Sequence, residues 1–96
     1  MPRPEGSALT FVIHGPIARS DLPGLYQRAC GLLEGSDAAI AFCEVERVGA
    51  DAVTVDALAR LQLVARRHGC QVRLRGTSEP LRELLGFMGL DAVLPD

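Results

Sequence analysis

The chain has 96 residues, a formal net charge of −2, 48% apolar residues and only 4% aromatic ones. That length suits one domain with one modest core, built from Leu, Val, Ile and Ala. The charge excludes the strongly basic balance of a nucleic-acid binder, and an ordinary charged fraction of 23% with so much apolar content excludes disorder.

Met1–Ser7 reads as a short flexible lead, polar and proline-bearing, without the apolar core of a signal peptide. Leu9-Thr10-Phe11-Val12-Ile13-His14 is rich in β-branched and aromatic residues and predicts a strand, stopped by Gly15-Pro16. Ser20-Asp21-Leu22-Pro23 is a helix-start signal, with Ser20 as the capping residue and Pro23 in the first turn. Leu22, Leu25, Tyr26, Ala29 and Leu32 then recur at helical spacing up to a stop at Gly35. The run Ala38 to Val45 is apolar almost throughout, the pattern of a strand covered on both faces in a parallel sheet. A second helix begins near Ala52, with an apolar stripe of Ala57, Leu58, Leu61, Val64 and Ala65, and ends at Gly69. Asp56, Arg60 and Arg67 fall on its other face, and Arg66, Arg67 and His68 give it the basic end that suits a helix C-terminus. Gln71-Val72-Arg73-Leu74-Arg75 alternates as a strand. Thr77-Ser78-Glu79-Pro80 opens a third helix striped by Leu81, Leu84, Leu85 and Met88 and closed by Gly89, and Ala92-Val93-Leu94 reads as a last short strand. This β-α-β-α-β-α order predicts one α/β domain over residues 1–96, a mostly parallel sheet of four to five strands with helices packed on one side.

No catalytic constellation emerges. His14 ends a strand and His68 ends a helix, and neither has a serine or cysteine partner in a recognisable motif. There is no GxGxxG, P-loop or GxSxG motif. Cys30, Cys43 and Cys70 are odd in number and lack metal-ligand spacing. They read as small buried hydrophobes of a protein in a reducing cytoplasm. Of the three, Cys70, beside a basic helix end, is the one best placed to react. The expectation is a protein without enzymatic activity, cofactor or metal.

Three segments resemble the STAS family, the domain of anti-sigma factor antagonists that also occurs in anion transporters and in a bacterial lipid-transport subunit. The turn Cys43-Glu44-Val45-Glu46-Arg47-Val48-Gly49-Ala50-Asp51 is similar to the family's strand-to-helix run. Gly69-Cys70-Gln71-Val72-Arg73-Leu74 is similar to its "G-x-x-[VL]-x-L" strand. Ser78 to Leu85, with Gly89-Leu90 and Val93-Leu94, resembles its closing helix, "GL" turn and final strand. In the antagonists a D-S-[SAT]-G turn carries the serine that an anti-sigma kinase phosphorylates, and the added charge breaks docking. The resemblance places Asp51-Ala52-Val53-Thr54-Val55 on that turn. Asp51 keeps the acid, but the serine positions hold Ala52 and Val53, so the usual phospho-acceptor is missing. Thr54, the one hydroxyl in the turn, reads either as a displaced phosphorylation site or as a first-turn Thr bonding to nearby backbone. Asp51 reads as an N-cap or as a partner contact. The family's extra opening strand would fall on Met1–Ser7, and its last helix has no counterpart after Pro95.

The resemblance implies a regulatory module that docks an anti-sigma factor or kinase-type protein, with Asp51, Thr54, Asp56, Arg60 and the outlying apolar Leu63 as the partner-binding face. The alternative it leaves open is a STAS subunit of a membrane lipid-transport complex, bound to its ATPase on the cytoplasmic side. A ligand-binding STAS domain finds no phosphate-binding loop here.

Overall fold

The structure, a computed structural model, describes residues 8–95. The expected lead and extra strand, on residues 1–7, therefore lie outside the described residues. The elements run β1 (Ala8–Val12), a 3₁₀ turn (Arg19–Asp21), α1 (Leu22–Glu34), β2 (Ile40–Glu44), α2 (Ala52–Arg67), β3 (Gln71–Arg75) and α3 (Glu79–Phe87).

Local chemistry sets most of these boundaries. Ser78 caps α3 by accepting from the Leu81 amide at 3.3 Å, and Pro80 sits in its first turn. Gly69 adopts φ +72° just beyond α2, a conformation that costs glycine no Cβ clash, while the Cys70 amide returns to the Ala65 carbonyl at 2.9 Å. The start of α1 differs from expectation. Ser20 lies within the 3₁₀ turn and does not cap the helix, because Asp21 takes the N-cap position and its carboxylate turns back to accept from the Ala18 amide at 2.9 Å.

The three strands are parallel in the order β1-β2-β3, with Leu9, Ala41 and Val72 in one row and Phe11, Cys43 and Leu74 in the next. Sequential order with crossovers of one hand brings the helices to the same face of a sheet. The burial pattern reflects this. Phe11, Ala41, Cys43, Val72 and Leu74 are buried under the helices, together with Leu25, Leu58, Leu61, Leu81 and Leu85. The opposite face carries Thr10, Val12, Ile40, Phe42, Arg73 and Arg75, all exposed or half-buried. The apolar run in β2 is thus covered on one face, not two. On the open side the Arg75 guanidinium lies 3.6 Å from the Phe42 ring centroid, shielding the ring by a cation–π contact.

Three strands stand among the described residues where four to five were expected. Residues 92–94 form a turn, with Val93 and Leu94 amides both donating to the Leu90 carbonyl at 3.0 and 2.9 Å. In a parallel pair alternate residues present their backbone groups to opposite edges. Gln71 bonds back to the β2 side through Ala39, so Val72 and Leu74 face the outer edge of β3. Two groups cover that edge. The Leu74 amide donates to the Pro95 carbonyl at 2.8 Å. The Gln62 side chain of α2 accepts from the Val72 amide at 2.8 Å and donates to the Val72 carbonyl at 3.2 Å. It donates also to the Val93 carbonyl at 2.6 Å, so one side-chain amide holds helix, strand and tail.

Candidate functional site

The site begins with the turn between β2 and α2. Asp51 is the N-cap of α2, in extended conformation, and its Oδ1 accepts from the Thr54 amide at 2.8 Å. That bond satisfies one of the open donors of the first turn and places a carboxylate where the helix field favours it. Asp51 is itself exposed. From it α2 runs for 16 residues, about 24 Å at 1.5 Å per residue. The helix rests on α1 and β3.

Helical periodicity divides the expected partner face. Asp56, Arg60 and Leu63 follow one another at steps of four and three residues and share the outward side of α2. Arg60 Nε lies 3.0 Å from Asp56 Oδ2, with both side chains about half in water or more. Such an ion pair adds only a few tenths of a kcal/mol to the helix, which leaves both charges available to a second molecule. Leu63 is 59% exposed, a large apolar group in the same row.

Thr54 is not on this face. It stands four residues before Leu58, in register with the stripe Leu58, Leu61 and Ala65, and it is fully enclosed. Its Oγ1 is buried with no hydrogen-bond partner. Both readings of Thr54 are corrected by this placement. The hydroxyl does not bond to nearby backbone, and a kinase has no access to it while the turn is folded. Of the residues expected on a partner face, Asp51, Asp56, Arg60 and Leu63 are exposed, with Asp51 at the N-terminal end of α2 and the other three in one row along it.

Sequence reasoning overlooked two buried polar groups. Tyr26 of α1 packs against the core, and its hydroxyl is buried and unpartnered. Burial raises its pKa, the charge of Arg60 lowers it and that of Asp56 adds to the rise. Gln62 lies on the inner side of α2, and its signal was available: a long polar residue between Leu58 and Ala65 in an otherwise apolar stripe needs partners.

The remaining chemistry is sparse. Burial pushes the Cys43 thiol up to about 12, with the neighbouring Glu44 adding to the shift. Burial also raises Cys70, against a smaller opposing bond from Gln71, so proximity to the basic helix end does not activate it. Among the described residues no three His, Cys, Asp or Glu side chains are grouped to hold a metal ion. A hollow of about 700 Å³ lies at the carboxyl end of β1, between His14, Ser20, Gly24 and Arg28, away from the outer face of α2. Asp56, Arg60 and Leu63 form an exposed ridge of side chains along α2 outside that hollow, an arrangement that suits a macromolecular surface better than a small ligand.

The fold has a counterpart among solved structures. The chain superposes on a sulfate transporter family protein from Wolinella succinogenes with a TM-score of 0.68 over 99% of this chain and 76% of that one, at 24% identity. The two share a fold. This α/β arrangement, with its parallel sheet and helices on one face, is compatible with the STAS-like architecture expected from the sequence. No family model matches the chain, and no curated protein matches it in sequence. Among the described residues no helix is long and apolar enough to cross a membrane.

Proposed function

We propose that this chain is a non-catalytic regulatory module of the cytoplasm that works by docking another protein, an anti-sigma factor or its kinase-type relative, along the outer face of α2. The observation that carries this reading is the ridge itself. A 59% exposed Leu63 stands in one row with an exposed, weakly held Asp56–Arg60 pair, on the helix that Asp51 caps. An apolar centre with a charged rim is the arrangement of a transient protein contact. The module needs no cofactor, and its docking runs without a phosphorylation switch, since the hydroxyl of Thr54 is enclosed. Titration calorimetry against an anti-sigma kinase tests it. Binding is expected for the native chain, with a loss of about tenfold or more for Leu63→Glu. Absence of binding by the native chain, or unchanged affinity in Leu63→Glu and Asp51→Ala together, sinks the reading.

A second reading draws on the shared fold. The matched structure is that of a sulfate transporter family protein. That likeness extends only to a transporter-associated fold; the sequence resemblance supplies the kind of complex, a membrane lipid-transport complex whose ATPase the chain would hold on the cytoplasmic side through the same ridge. Co-purification with an ATP-binding subunit, lost in Leu63→Glu, separates this reading from the first.

A further inference from the structure

We propose that α2 also pairs with the α2 of a second copy of this chain, antiparallel, about a two-fold axis between Arg60 and Leu63. The exposed row on α2 continues beyond the residues discussed above. Asp56, Arg60, Leu63 and Arg67 are all exposed and are separated by four, three and four residues. That alternation is the spacing of the seam positions of a coiled coil, which keeps one narrow stripe facing a partner helix. In an antiparallel pair the two kinds of seam position face each other. Asp56 then stands opposite Arg67 of the second copy, and Arg60 opposite its Leu63, and each contact occurs twice, as a two-fold interface requires.

Charge decides the orientation. The row begins on an acid, Asp56, and ends on a base, Arg67. A parallel pair would set Asp56 against Asp56 and Arg67 against Arg67. The antiparallel pair sets opposite charges together at both ends. At the centre, the aliphatic stem of Arg60 can lie over the Leu63 of the second copy, covering an apolar side chain that is 59% exposed in the single chain. The intrahelical Asp56–Arg60 contact does not oppose this, because both groups are largely in water and each keeps free hydrogen-bonding positions. One helix from each side makes a small interface, so the association is weak and concentration-dependent. The same ridge serves the proposed partner, and self-association and partner docking therefore exclude each other. The pairing itself does not rest on the partner reading.

Sedimentation equilibrium from micromolar to millimolar concentration tests the proposal on the full chain. The native protein is expected to shift from monomer to dimer. Asp56→Arg alone brings two arginines face to face at both ends of the pair, and Arg67→Asp alone brings two aspartates face to face there. Each variant is therefore expected to self-associate about tenfold more weakly. An equal mixture of the two single variants restores opposite charges: one end of the mixed pair keeps two native residues, and the other carries the two substituted ones. In detail, the substituted arginine of one chain meets the substituted aspartate of the other, while the native Arg67 of the first meets the native Asp56 of the second. The mixture is expected to form a mixed dimer at least as tightly as the native protein. Circular dichroism and urea midpoints check that each variant folds, which these exposed positions permit. A monomeric native protein at millimolar concentration overturns the proposal, as does a mixture no tighter than its separate components. Binding of an anti-sigma kinase by either single variant is not repaired by adding the other, so failure of one proposal does not pass for failure of the other.

Discussion

At the scale of single residues, Thr54 carries a hydroxyl that nothing in the interior uses. A buried polar group without a partner costs free energy that an apolar group of the same shape does not. Thr54→Val keeps the volume and removes the hydroxyl, and the substitution is expected to raise the unfolding free energy by about 1 kcal/mol in urea titration. Unchanged or lower stability would mean that the hydroxyl finds a partner. The cap of α2 is legible because Asp51 stands directly before a helical stripe, while for α3 the run Thr77 to Pro80 marks the start without singling out Ser78. Thr54 is the contrary case. The family motif makes its hydroxyl a candidate site, whereas its spacing to Leu58 assigns it to the core. Leu63 needed only periodicity, which is why its exposure followed from the sequence.

At the scale of elements, β3 would be an open edge but for Gln62. Its amide meets both backbone groups of Val72 as a neighbouring strand would, and so blunts a site where another chain could add. Gln62→Ala leaves the Val72 amide, the Val72 carbonyl and the Val93 carbonyl short of a partner. The expected loss is about 2–4 kcal/mol of stability in urea titration, with hydrogen exchange at the Val72 amide rising more than at Phe42 in β2. A loss below that range with Val72 still protected would show that the tail covers the edge unaided. This clasp explains the missing strand. Ala92-Val93-Leu94 has strand-like composition, but the edge it would extend is already occupied by a side chain and by Pro95. Composition does not reveal which edge a distant glutamine has taken.

At the scale of the whole molecule, all the described helices lean on one face of the sheet, and its interior is closed enough to change the acid–base behaviour of a thiol. Cys43 titrates near 12 in the folded chain, above its ordinary value, so the unfolded chain gives up that proton first as pH rises. Stability from this group is complete below the ordinary thiol range and declines between about 9 and 12. The expected slope is about 1.4 kcal/mol per pH unit for one thiol, read from urea midpoints in alkaline buffers, and Cys43→Ala is expected to flatten it. The order of elements and the parallel sheet followed from alternating patterns of two and 3.6 residues. The one-sided cover of β2 did not, because Ile40 and Phe42 are as apolar as a two-faced strand requires, and the Phe42 ring is screened by Arg75 instead of by a helix. The clasp of Gln62 has a further consequence, in time and not in space. Its three backbone partners lie at residues 72 and 93, so during synthesis from the N-terminus the amide remains half-engaged until residue 93 has left the ribosome. A nascent chain that has not yet exposed residues 93 and 95 leaves the Leu74 amide and part of the Gln62 clasp unpaired, and that stretch of edge stays open to chaperones and proteases.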